Sequence, residues 1–368
     1  MKSNKTFMIL SALGILFVVD AHSLSSLMLM TVYFDYNSFF MPMFMFISGY
    51  FFSKKYIDNI TGTIARKAKR MLIPYFIWGC VYCIFEYIMQ QRGWITYDLD
   101  FNLKDLIIKP FTVGYVCELT QPTWFIMALF MTQVVYILAR KILRPVWNDI
   151  AAMIILIIMG AASVYASRAG YNTGILLPVM KVGFFLQFYH LGVFYRKYIE
   201  KYFRRCNKAV IMSAAIVINT VLIYIYNNQL MFLDLAKMSG FTTSNVFLPL
   251  ISSITGISFW LCVAMILEEP LGKSRLVNFI SDHTFEIMTH HYFFFYIYNT
   301  ILYLISMYVI ELQYFDAFAF NANSFYRYQP IFQFRVFYLL IGMAGPLLAV
   351  WIKDRFKMKV VSMREKRR

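Results

Sequence analysis

The segment SDHTFEIMTHHYFFF, Ser281 to Phe295, gathers residues that can move protons. His283, Glu286 and His290 are spaced by three and four, which places them on one face of a helix. On that face Glu286 can accept from the His290 imidazole and fix its tautomer, while His291 points elsewhere. Such an arrangement suits general acid–base work. It is not a metal signature, because H-x-x-E-x-x-x-H matches no established zinc spacing, and no metal is expected. The plainer alternative is a helix-start cap around Asp282 followed by a structural polar pair.

A second chemical pair sits near the start of the chain, in GILFVVDAHS. Asp20 and His22 are two residues apart, so they do not share a helical face and do not form a dyad. Asp20 would pair with a basic group on another helix. His22 lies on the order of 23 Å along a helix counted from Phe7, and is either a proton acceptor or a hydrogen-bonded core histidine. Lys181 and Arg335 are the basic residues that fall inside apolar segments. Each is a counter-charge for Asp20 or Glu286, or else reaches to the membrane interface. Glu86 stands near the outer end of its segment, where it would meet water.

The run RKAKRMLIPYFIW clusters Arg66, Lys67, Lys69 and Arg70, with Arg66 and Arg70 on one face. Arginine forks match phosphate oxygens, so the cluster suits an anionic phosphate ligand; the alternative is an ordinary cytoplasmic membrane anchor. In QPTWFIMALF, Pro122 can open a helix and Trp124 is an interfacial anchor or a lid over a cavity. The five cysteines are scattered. Cys80 and Cys83 form a C-x2-C pair without a second pair, which points to packing rather than zinc.

The elements that must hold these residues follow from composition. The chain has 368 residues, 60% hydrophobic and only 15% charged, with mean hydropathy +0.59. Soluble domains are less apolar and nearer a quarter charged. Apolar stretches long enough for a hydrocarbon core of about 30 Å recur along the whole length. Ten spans are expected, at 7–27, 39–53, 71–89, 123–139, 150–167, 174–195, 209–227, 246–267, 284–309 and 332–352. With the N-terminus inside, 27 of the 35 lysines and arginines fall in inner segments and six in outer ones, as the positive-inside rule requires. The net charge of +16 is therefore topological and faces anionic lipid, not nucleic acid. The expected fold is all-α: a polytopic integral membrane protein with both termini cytoplasmic. It forms one membrane-embedded domain over 1–368, ending in a basic tail at 353–368. The first span is not expected to be a cleaved signal. The outer segment 90–122, with Trp94, Asp98, Asp100, Asp105 and Glu118, would form a partial cap, and a second outer loop, 310–331, is rich in Phe, Tyr and Asn. In FFMPMFMFISGYFFSKK, Phe39 to Lys55, Pro42 is expected near a helix start, and Ser48 and Gly49 to pack against the His22 helix.

Together GILFVVDAHS, FFMPMFMFISGYFF, RKAKRMLIPYFIW, PTWFIMALF and HTFEIMTHH, in this order on a ten-span background, resemble the acyltransferase-3 family of membrane acyltransferases. The closest likeness is to its sugar and glycan O-acetyltransferase branch, and it covers most of the chain. The resemblance implies transfer of an acyl group, usually acetyl, from a cytoplasmic coenzyme A thioester. The acceptor would be a hydroxyl of a cell-envelope glycan or its lipid-linked precursor, at a bacterial inner or plasma membrane. By the same resemblance His22 is catalytic, Arg66 to Arg70 hold the coenzyme A phosphates, and Trp124 and His290 match further family positions. One departure stands out. The family carries an arginine ten or eleven residues before the first-span histidine, where this chain has Ser11 and Ala12.

The expected catalytic set is therefore His22, Glu286 and His290, with Arg66, Lys67, Lys69 and Arg70 binding acetyl-CoA. Asp20, Trp124, Lys181 and Arg335 are further cavity candidates, and Trp124, Lys181 or Arg335 would stabilise the oxyanion. A transporter or flippase of lipid-linked glycans, or a non-catalytic membrane subunit, are the alternatives. Acetyl-CoA turnover separates the first reading from both.

Overall fold

The computed structural model describes residues 4–24, 30–97, 99, 102–227, 234–241 and 245–365. Among them the fold is all-α, apart from one isolated bridge between Asp234 and Ser239. Ten principal helices are α1 Lys5–His22, α2 Tyr36–Tyr50, α3 Ile60–Gln91, α4 Trp124–Ile142 and α5 Asp149–Arg168, then α6 Leu176–Phe194, α7 Lys208–Ile225, α8 Leu248–Ile266, α9 Thr284–Tyr308 and α10 Phe332–Glu365. Shorter helices fill the connections, among them Leu103–Thr112 and Ala317–Ala322 in the two outer segments. Asp98 and Asp100 lie outside the described residues.

Eight of the ten, not all, are long and apolar enough to cross a membrane; α2 and α9 are the exceptions. At 15 residues α2 is about 22 Å long, short of a 30 Å core. The 25 residues of α9 include Glu286, His290, His291 and Asn299, which lower its mean hydropathy.

Two helices begin earlier than the apolar pattern implies. The basic cluster is not a loop but the first turns of α3, which starts at the Asn59 cap, whose side chain accepts from Gly62 N. Arg, Lys and Ala are strong helix formers, so the helix runs on past the apolar stretch. Pro74 is thereby a mid-helix residue rather than a first-turn one. Likewise α2 starts at Tyr36, which puts Pro42 in its interior. A proline there leaves the carbonyl four residues back without its helical donor. The freed carbonyl is that of Ser38, and the Ser253 hydroxyl of α8 donates to it at 2.7 Å. The break thus becomes a link between α2 and α8.

Gly49 does not pack on the His22 helix. Its Cα faces the Tyr189 carbonyl of α6, and Gly192 of α6 faces the Phe46 carbonyl of α2. Small residues on both sides let the two backbones meet, and a Cβ at either position would strike a carbonyl oxygen. It is Gly14 of α1 that turns to α2, against Met43 and Phe44. Ser48 points to α4, accepting from Gln133 Nε2 at 2.8 Å. After α6 the helix widens into a π turn at Tyr195–Ile199. Arg196 there donates to the carbonyls of Tyr50 and Phe52 and so closes the C-terminal end of α2.

Candidate active site

At the last turn of α1, His22 Nδ1 lies 3.0 Å from His291 Nε2 of α9. His291 Nδ1 lies 2.8 Å from the Ile287 carbonyl oxygen. A carbonyl only accepts, so His291 carries its proton on Nδ1 and, when neutral, presents a bare Nε2. His22 then donates from Nδ1, and its own Nε2 is left as a lone pair. The pair of imidazoles thus sets the tautomer that a proton acceptor needs. Among the described residues His22 Nε2 has no hydrogen-bond partner. His291, read from spacing as pointing elsewhere, is fully buried and is the group that orients His22.

Residues of the loop before α10 close over this pair. Arg327, the one basic residue between 310 and 331, reaches inward from the loop between α9 and α10. Its Nε donates to the His22 carbonyl at 3.2 Å, and its Nη1 donates to the carbonyls of Ser324 and Tyr326. The guanidinium carbon sits 4.5 Å from the Phe295 ring centre and 5.3 Å from that of Tyr292, a cation–π seat. Burial pulls its pKa down from the usual guanidinium value, yet arginine remains a cation. Gln329 donates to the Ser23 carbonyl, and Tyr338 donates to Asn299 while accepting from Tyr328 N. Tyr292 stands edge-on to His22, with ring centres 5.1 Å apart. Among the described residues, Arg327 Nη2 and the Tyr292 hydroxyl are donors at this place with no partner. Each unpaired buried donor costs roughly 1–3 kcal/mol.

His290 faces the other way. Its Nδ1 shares a 2.6 Å hydrogen bond with the Tyr82 hydroxyl of α3, and Trp78 lies edge-on to its ring. These residues line a cavity of about 710 Å³ between α3, α4, α9 and α10. Arg70 and Lys353 line one end of it and Phe85 the other. From Arg70 to Phe85 is about 22 Å along α3. The walls are mainly apolar, while Asp282 and Glu286 also face the cavity, so its mouth carries both signs. Glu286 does not fix the His290 tautomer; its Oε2 lies 3.5 Å from His283 Nδ1 instead.

The basic cluster divides. Arg70 lines the cavity. Lys67 turns inward and donates to Gln133 Oε1 at 2.6 Å, extending the Ser48–Gln133 link. Arg66 Nε donates to the Gly62 carbonyl of its own helix. Lys69 lines a separate shallow depression. Four cations within five residues of a helix point in several directions, and only residues three or four apart share a face.

The remaining candidates are placed elsewhere. Asp20 is buried and accepts from the Tyr36 hydroxyl of α2. Trp124 is neither anchor nor lid. It is buried against Phe185, and Gly114, at φ +105°, passes so close that a Cβ would meet its side chain. Lys181 sits 5.1 Å from the Trp124 ring centre and donates to the Val113 carbonyl at 2.8 Å. Arg335 is half-buried, with its Nε unpaired. Glu86 does not meet water: it is buried and accepts from Leu119 N at 2.5 Å. Among the described residues no three His, Cys, Asp or Glu converge to hold a metal ion.

One family model matches this chain over most of its length. That model, described as an acyltransferase domain, spans residues 9–354. The chain belongs to the acyltransferase-3 family. Neither the curated proteins nor the solved structures contain a match to it. As a member of that family it is a membrane acyltransferase with eight helices fit to span a bilayer. Where the acyltransferase-3 pattern carries an arginine on the first helix, this chain packs Leu10, fully buried, and half-buried Ser11 and Ala12.

Proposed function

We propose that this acyltransferase moves an acetyl group from acetyl-CoA to a hydroxyl of a cell-envelope glycan or its lipid-linked precursor, at a bacterial inner or plasma membrane. The observation that carries the reading is the free Nε2 of His22, held by a neighbouring imidazole on a helix next to a large cavity. Ten membrane passes with both termini inside, and α2 and α9 completing the bundle, are part of the proposal.

The donor enters from the cytoplasm. Arg70 and Lys353 meet its phosphates, and Lys69 and Arg66 add charge outside the cavity. Its thioester arm lies along the apolar walls towards Tyr82 and His290. Since His290 and His291 are consecutive, the inner end of the cavity and the His22 pair are separated by the width of α9. The Tyr82–His290 hydrogen bond stands at the crossing, which the acyl group must pass to be attacked directly. His22 Nε2 takes the proton of the acceptor hydroxyl, which requires about 2.6–3.2 Å between heavy atoms. Glu286 and His290 assist by position rather than as the base.

Purified protein incubated with radiolabelled acetyl-CoA is expected to release coenzyme A and to label a glycan acceptor. A second reading, transport of a lipid-linked glycan, is favoured by the outward exposure of the cavity residues Trp78 and Val81 on α3, which would let a lipid tail enter sideways. Glycan flux in vesicles without acetyl-CoA binding or turnover would select it.

A further inference from the structure

We propose that Arg327 and Tyr292 supply the oxyanion site of this enzyme: the Arg327 Nη2 and the Tyr292 hydroxyl donate to the thioester oxygen as it becomes negative beside His22. The inference rests on the acyl-transfer reading and adds to it the electrophilic half of the site.

The groups that composition suggested for this task are engaged elsewhere. Lys181 donates to the Val113 carbonyl, Trp124 is enclosed by Phe185 and Gly114, and Arg335 lies at the start of α10. Arg327 and Tyr292 instead touch His22 itself, one through its carbonyl and one edge-on to its ring. Both are held in place by other contacts. Three carbonyls fix two of the guanidinium nitrogens, and Tyr292 is wedged between His291 and Phe325. What each leaves over is one buried donor without an acceptor. A buried unsatisfied donor in a native structure calls for a ligand or a catalytic role. Two of them against a ring with a free lone pair form the base and the electrophile of acyl transfer in one place.

The step balances. His22 Nε2 accepts the hydroxyl proton while the acceptor oxygen forms a bond to the carbonyl carbon. The carbonyl π pair moves onto its oxygen, where Arg327 and Tyr292 receive the charge. The pair then returns, the C–S bond breaks, and coenzyme A leaves as a thiol with the proton from His22. Arg327 also supplies a cation on the His22 helix end in a chain whose α1 carries none near Ser11.

The test uses detergent-purified full-length protein with acetyl-CoA and water as the acceptor, so that acceptor recognition drops out. Y292F removes one oxygen atom and is expected to lower kcat about tenfold or more. R327A is expected to lower it by about 10²-fold or more, with KM for acetyl-CoA nearly unchanged. Added guanidinium should restore part of the R327A loss. R327K should recover little, because lysine lacks the planar fork. If hydrolysis is untouched and only glycan transfer suffers, Arg327 reads an anionic acceptor and the oxyanion role is overturned. Loss of acetyl-CoA binding and thermal stability in both variants, without guanidinium rescue, makes the pair structural and also overturns it. A wild-type protein that binds and turns over no acetyl-CoA sinks the acyl-transfer reading itself.

Discussion

His290 and His291 are consecutive residues on one helix, and they serve two regions of different character. On the His290 side lies a wide cavity with apolar walls, cations of α3 and α10 at its mouth, and a wall partly open to the outside. On the His291 side lies a closed cluster with a base, a guanidinium and a phenol at contact distance. The first is shaped to hold something long and charged at one end; the second to handle a proton and a developing charge. About 100° per residue is what α-helical geometry gives neighbours, and in the proposed mechanism that turn separates docking from chemistry. If the separation is real, changes on the two sides must affect different kinetic constants.

The largest effect is expected on the closed side. His22→Ala should lower acetyl transfer about 10²–10⁴-fold, the range for loss of a general base, with acetyl-CoA binding intact. His291→Ala should lower kcat less, because it frees the His22 tautomer without removing the base. Its KM for acetyl-CoA should not move. Full transfer by the His22 variant would break the comparison outright, and an equal rise in KM for both variants would merge the two regions into one.

How much of this was legible in the sequence depends on the kind of signal. The ten helices follow the apolar stretches closely, because lipid-facing residues leave little choice of composition. His22, His290 and Arg70 were singled out by residue type and position, and the family resemblance supplied the roles proposed for them. His291 was read away from the site because helical periodicity describes one helix and cannot say which neighbour each face will meet. Arg327 lay in a loop that carried no periodic pattern at all; a lone cation among Phe, Tyr and Asn was the signal available. The basic cluster misled in the opposite sense. Four adjacent cations look like one binding patch, but a helix spreads them around its axis, and Lys67 is taken up by Gln133. Gly49 was rightly singled out as a close approach, but its partner is α6, whose Gly192 supplies the matching gap, while Ser48 bonds Gln133 of α4.

On the open side the expected effects are smaller. Arg70→Ala and Lys353→Ala should each raise KM for acetyl-CoA by about two- to fivefold, since exposed charges are worth roughly 1 kcal/mol or less. The double variant should show a near product of the two, kcat should hold, and added salt should narrow the difference from wild type. Lys69→Ala, pointing to another depression, serves as the control. A Lys69 variant with the same KM rise as Arg70 would mean that the phosphates sit on the outer face of α3 rather than in the cavity.

The smallest effect concerns how the outer end of the closed region responds to pH. Asp35 caps α2, accepting from Asn37 N at 2.8 Å, one residue from the Tyr36 that bonds Asp20. Burial raises its pKa from 3.8 to about 6. A carboxyl raised in the folded state favours folding when protonated. Its contribution is fully present below about pH 4 and is lost as pH rises through about 6. The N-terminal end of α1 has the opposite sign. There Glu268 accepts from Thr6 and Arg204, which lowers its pKa. Its contribution is present above the unfolded value of about 4.5 and fades only as pH falls through the lower folded value. Asp35→Asn keeps a capping side chain and removes the titration. The melting temperature of the variant relative to wild type should therefore climb between pH 4 and 6 and then level off. A difference that stays flat across that window would mean that Asp35 is hydrated and that the outer end of the bundle is more open to water than its packing implies. The closed character assigned to the His22 side would then have to be given up along with it.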